Sequence, residues 1–478
     1  MKAGLLHKLG SGLALGLCVF ISGCGKEEKN NAVASGSSEA VRRNPAGIYR
    51  VQWNFNTLVE PYLKKGHRDP SWDESATNAL IKFAFFRSDK SFGESDRYVL
   101  ASYCRDALSK GCSDPMIVYL HARFVLAYQE DMTDAILGEA YKKASSQLRK
   151  YPLAPVRQFY LALRASEAIN AATGGKAASP EVHGFRRAAM SSLFSTLQDP
   201  DIPPTEAYDA CRDMLAGLNR NPVITEFYGR LEPVLLKNWP NESFVYVIQA
   251  GFHIDEAWRA RGSGYADKVT SEGWKRFASH LDLAAEALEK AWKLDPTNTD
   301  IPYRMMSVEL GQGKGRDRLD LWFNRAMAIA SNNVAACKSK LYYLEPKWHG
   351  SEKEMLEFAR ECAASKEWAG EVLLMPLFAH DTLSSYAKRD GDTNYWKRPV
   401  VWAEIKSTLD QFFTRYPDAT GWRHNYAWYA YYAGRWDEFN RQISLFSTGT
   451  NYQTFGGREA FDLMVKTAQD RASKTARN

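Results

Sequence analysis

The chain has 478 residues, 45% of them hydrophobic and 13% aromatic, with a formal charge of +6 at pH 7. That length allows more than one core, and no run of Lys and Arg is dense enough to track a nucleic-acid backbone. Seven cysteines without one C-x-x-C pair remove the usual signatures of a zinc site and of thioredoxin-like chemistry.

Lys2, His7 and Lys8 form a basic head, residues 9–20 are apolar and broken by glycines, and Ile21-Ser22-Gly23-Cys24 follows. Basic, apolar and small residues in that order are the layout of a secretory signal over 1–23. The apolar run is shorter than the ~20 residues a membrane-spanning helix needs. Ile21-Ser22-Gly23-Cys24 resembles the lipobox of bacterial lipoproteins, whose cysteine is acylated and becomes the first residue, so the resemblance implies a lipid on Cys24. The alternative is an ordinary cleaved signal with an incidental cysteine. Loss of 1–23 removes Lys2 and Lys8 and no acid, which lowers the formal charge from +6 to +4. Residues 24–45, rich in Lys, Glu, Asn, Ser and Gly, cannot bury enough apolar surface to offset ordering entropy and read as a flexible tether. In lipoproteins of the Gram-negative type an aspartate directly after the cysteine favours the inner membrane. Gly25 stands there, so the resemblance implies an outer-membrane anchor, with the chain facing the periplasm.

Beyond the tether, Val51, Trp53 and Phe55 alternate with polar Arg50, Gln52, Asn54 and Asn56, which predicts one short strand or an extended lead-in. From there helix-period patterns dominate. Of the remaining cysteines, Cys104, Cys112, Cys211, Cys337 and Cys362, only the first two are close in sequence. Bridging them needs Cα atoms within ~7 Å, which a continuous helix forbids and a turn at Gly111 would permit. Asp114-Pro115 offers a cap and a first-turn proline. Ala140 and Ala144, followed by Pro152, are small residues on a helix that ends at a proline. "ATGGKAASP" at 172–180 is the expected break between an N-terminal helical bundle at 46–172 and a C-terminal array at 181–478.

In the second half, His253 and Glu256 share a helix face at i and i+3, but no third ligand follows at helix spacing, and a satisfied or exposed histidine is the simpler reading. Asp255 and Arg259, at i and i+4, read as a surface ion pair. "RGSGYADKVTSEGW" at 261–274 exceeds the two to eight residues of an ordinary helical hairpin connection. Connections that outgrow their structural task often carry function, which makes Tyr265 and Asp267 candidates; loop variability is the alternative. "LDLAAEALEKAWKLDP" places Ala284, Leu288 and Ala291 on one helix face before Pro296. The same face recurs 35 residues later at Leu319, Phe323 and Ala326, and 36 residues beyond that at Met355, Ala359 and Cys362. A period in the mid-thirties with small residues at close approaches predicts stacked helical hairpins. "GQGKGR" at 311–316 lacks the P-loop spacing and sits where two repeat helices must turn. Ser351 and Glu354 form a capping box. H-E-x-x-H and G-x-S-x-G are both absent from the chain after residue 24.

Ala284, Leu288, Ala291 and Pro296 resemble the second helix of a tetratricopeptide repeat. "RYPDATGWRHNYAWYAYYAGRWDEF" at 415–439 is similar in layout, with proline stop, first helix, glycine turn and second helix, although Phe439 stands where that family has alanine and the unit around Leu319 ends in Ser331 instead of proline. "CSDPMIVYLHARF" at 112–124 and "YYLEPKWHGSEKEMLEFAR" at 342–360 are similar to segments of a bacterial helical-repeat family of uncharacterised function. The fold expected is an all-α solenoid of tetratricopeptide-like hairpins. Trp422, Tyr426 and Tyr429, with Ala433, would make a packed face of one helix, leaving His424, Trp428, Tyr431 and Tyr432 opposite. The resemblance implies that this non-packed face lines a binding groove, where aromatic rings with polar tips suit peptides or sugars; rings packed under a neighbouring helix are the alternative. The function expected is therefore lipid-anchored binding of a protein or peptide partner, without catalytic residues, cofactor, metal or nucleic acid. Glycan capture for an outer-membrane uptake system is the second reading.

Overall fold

Prolines and short polar side chains set where the helices start. Pro115, Pro155, Pro180 and Pro399 each occupy a first turn, where a missing N–H costs no intrahelical bond. Asp114 accepts from the N–H groups of Met116 and Ile117 at 2.9 and 3.3 Å, and Ser351 accepts from Glu354 N–H at 3.3 Å. The computed structural model describes residues 45–86, 93–129, 132–148, 153–174, 179–219, 221–446 and 449–475. The leader expected at 1–23, Cys24, the tether expected up to residue 44 and Pro152 lie outside the described residues. Among those described no strand occurs, and helices pack on their neighbours in sequence as an all-α helical-repeat solenoid.

The chain divides into two compact units, Met1–Phe252 and His253–Asn478. The first holds α1 (Pro45–Asn54), a π-helical turn at Phe55–Val59, α2 (Glu60–Lys65), α3 (Asp73–Phe86), α4 (Glu94–Ser109) and α5 (Pro115–Phe124). It continues through α6 (Asp134–Leu148), α7 (Pro155–Ala172), α8 (Pro180–Thr196), α9 (Pro204–Gly217), α10 (Val223–Asn238) and the start of α11 (Ser243–Arg261). Residues 50–56 are helical, which corrects the strand or extended lead-in expected there. The alternation misleads because two of its polar members, Arg50 and Asn54, are partners of core groups, while Gln52 and Asn56 stay exposed. Arg50 donates twice to Glu206, at 3.0 and 2.6 Å, and Asn54 Oδ1 accepts from Arg157 at 2.6 Å. Glu206, Asn54 and Arg157 are all buried, and burial of such groups is tolerated because they are partnered. The connection at 172–180, of which 175–178 lie outside the described residues, falls inside this unit, and α7 and α8 on either side of it pack together. Gly111, at φ +99°, does turn the chain after α4, yet the thiols of Cys104 and Cys112 are free and buried.

The second unit takes the end of α11 and then α12 (Ser271–Leu294), α13 (Asp300–Gln312), α14 (Arg316–Ile329), α15 (Val334–Tyr343) and α16 (Glu352–Ala364). It ends with α17 (Met375–Arg389), α18 (Pro399–Arg415), α19 (Trp422–Tyr432), α20 (Trp436–Ile443) and α21 (Arg458–Thr475). All nine residues of the recurring triple, from Ala284 on α12 to Cys362 on α16, are buried. Each of these second helices packs on the first helix that follows it, α12 on α13, α14 on α15 and α16 on α17. First helices also pack in succession, α13 on α15 and α15 on α17. The "GQGKGR" segment is the expected turn: Gly313 and Gly315 take φ of +60° and +106°, where a Cβ would be strained. Arg318 clasps the buried Glu309 across that turn with bonds of 3.0 and 2.8 Å. Among the described residues no helix is long and apolar enough to cross a membrane.

Candidate functional site

The long connection joins α11 to α12 through a 3-10 turn at Ala266–Lys268. Tyr265 is 76% exposed, and Asp267 is an exposed carboxylate 3.4 Å from Lys268 Nζ. The base of the connection is aromatic. The Arg261 guanidinium donates to the carbonyls of Gly262 and Gly264 at 3.2 and 2.9 Å and lies 5.5 to 5.9 Å from the rings of Trp258, Trp274 and Trp348. Trp348 comes from the turn after α15, and its distance in sequence hides its place beside Trp258. Arg259 pairs with the buried Glu256 and not with Asp255, a correction to the expected i, i+4 pair. At i, i+3 the shorter reach wins, and Asp255, raised by burial, is drawn back down chiefly by Arg304 of α13.

On α19 the structure redistributes the expected faces. Tyr426, Tyr429 and Ala433 are buried as predicted, whereas Trp422 is only half-buried. His424 is not on an open face. It is 5% exposed, with Nδ1 3.2 Å from Gly421 O, Nε2 3.2 Å from Gly449 O, and its ring stacked on Phe446 at 4.0 Å. The chain after α20 returns over it, which no pattern within α19 reveals. Tyr431 is half-buried, 5.5 Å from the rings of Phe439 and Trp436 on α20, so it belongs to the hairpin's own packing. Trp428 is half-buried and Tyr432 is 40% exposed, with ring centroids 4.3 Å apart.

Beside Trp428 lies the side-chain group that the sequence reading missed. Trp396, in the connection before α18, meets Trp428 edge-on at 5.7 Å and Tyr429 at 5.3 Å. Tyr429 donates its hydroxyl to Asp381 Oδ2 at 2.9 Å, and Phe378, one turn earlier on α17, carries Lys338 Nζ 3.8 Å from its ring centroid. Trp422 closes the group, 6.0 Å from Phe378 and donating to Glu371 Oε1 at 3.0 Å. Burial pushes Asp381 up to about 6, against the Tyr429 bond and the neighbouring His380 and Lys338. Burial likewise lowers Lys338, against Glu371 and Asp381. Half-buried Trp396, Trp428, Phe378 and Trp422 are thus joined, through Tyr429 and Phe378, to a carboxylate that burial raises and an ammonium that burial lowers. One signal was available. Lys338 follows Arg304 by 34 residues, close to the repeat period, so both fall on the same face of neighbouring first helices.

A hydroxyl–imidazole–carboxylate series does occur nearby, with Tyr395 Oη 2.7 Å from His380 Nδ1 and His380 Nε2 3.4 Å from Glu404. Tyr395 and His380 are buried, however, and Arg360 takes both Glu404 oxygens at 2.8 Å, so the series fastens α17 to α18. Among the described residues no group of three or more His, Cys, Asp or Glu is placed to hold a metal ion. No protein-family model matches the chain, and no curated protein matches it.

Proposed function

We propose that this protein is a lipid-anchored helical-repeat protein, tethered through Cys24 to the outer membrane and facing the periplasm, that binds a protein or peptide partner and performs no reaction on it. The observation that carries this reading is the face made by Lys338, Phe378, Asp381, Trp396 and Trp428, where large rings and both signs of charge are held half-buried, so that a partner would complete their desolvation. The tetratricopeptide likeness of Ala284, Leu288, Ala291 and Pro296 supports it, since such arrays present their first helices to partners. The carboxylates of Asp381 and Glu371 beside Trp422 and Trp396 favour a second reading, a glycan whose ring stacks on indole. Capture from solubilised membranes, set beside a glycan array, separates the two. The double variant Trp396→Ala, Trp428→Ala should lose the partner while keeping its helical circular dichroism; undiminished capture by that variant would refute the site.

A further inference from the structure

His253 on α11 and His280 on α12 meet with their Nδ1 atoms 3.0 Å apart and their rings tilted by 33°. The two residues are 27 apart in sequence, and only the doubling back of the chain through residues 262–270 brings them together. Both are half-buried, so an ion or water can reach the pair while the helices hold it. In the neutral pair one Nδ1–H donates to the other Nδ1, and when the donor's proton moves to its own Nε2 both Nδ1 lone pairs become available to a single ion. Two nitrogens bound to one tetrahedral Zn²⁺ at ~2.0–2.1 Å stand ~3.3 Å apart, so a small opening of the existing contact, with each ring turned until the two lone pairs converge on one point, admits the ion.

Glu256, one turn from His253, is held by Arg259 and lies 3.9 Å from Arg276. It supplies local negative charge without joining the ligand set. We propose that His253 and His280 form a two-imidazole site for a divalent transition-metal ion, completed by water, which fastens α11 to α12 below the tryptophan-lined connection. Imidazole suits Zn²⁺, Ni²⁺ and Cu²⁺, whereas Mg²⁺ and Ca²⁺ prefer oxygen.

The test uses the full chain, freed of metal by chelation, titrated with zinc chloride and separately with magnesium chloride. Calorimetry should show one saturable zinc site per chain and none for magnesium, and zinc should raise the melting temperature. His253→Gln and His280→Gln should each weaken zinc binding at least tenfold and abolish the thermal shift. Circular dichroism of each variant, unchanged without metal, shows that the fold is intact; His253→Asn and His280→Asn replace any variant that misfolds. No saturable zinc binding by the parent, equal binding of magnesium, or retention of zinc by either folded variant would overturn the site.

Discussion

Asp381 is ionised at neutral pH against its surroundings. Its folded pKa of about 6 stands above the ordinary 3.8, so the native chain holds this proton more tightly than the unfolded chain does. Through this group, native stability is lowest above pH 6 and recovers as pH falls toward 4. Asp381→Asn keeps an oxygen to accept from Tyr429 and removes the charge, so it should raise the melting temperature at pH 8. The gain should shrink to nothing near pH 4, and a gain independent of pH would show that the charge is not its source. Glu404 has the opposite sign. Burial pushes it up, but bonds from His380 and Arg360 outweigh burial and hold it at about 2, so its contribution is present above the ordinary 4.5 and fades as pH falls toward 2. Neither carboxylate is legible in the sequence, because each owes its state to partners on other helices.

At the scale of elements, the recurring triple is what the sequence conveys best. Leu288 is fully buried on α12, which packs on α13. Leu288→Ala should cost ~2–5 kcal/mol in denaturant unfolding, and Leu288→Asp should remove helical signal, since it buries a charge with no partner. A loss below ~1 kcal/mol for the alanine variant would mean that the helices do not meet there. The caps at Asp114 and Ser351 and the turn at 311–316 were equally legible, because each is local chemistry. The helix over residues 50–56 was not, since the roles of Arg50 and Asn54 depend on Glu206 and Arg157, more than a hundred residues away in sequence. His424 fails for the same reason in reverse. Its open face exists only until the chain beyond α20 returns and Phe446 covers it.

At the scale of the whole molecule, the proposed anchor is the part most easily tested apart from the fold. Cys24→Ser should shift the protein from the membrane fraction to the soluble fraction, with a mature chain that carries no lipid by mass spectrometry; membrane retention of that variant would refute lipidation at Cys24. The proposed export also gives the buried thiols a meaning in time. Cys104, Cys112, Cys211, Cys337 and Cys362 are all free and enclosed, and burial pushes Cys104 up to about 12 and Cys112 up to about 11. The nucleophilic thiolate is therefore suppressed in the folded chain, while the same five groups are open to oxidants on a chain that has just crossed the membrane. If the protein is exported, collapse of the hairpins competes with oxidation as a race between rates, and the order of those two events, more than the final stability, decides how much chain reaches its native state.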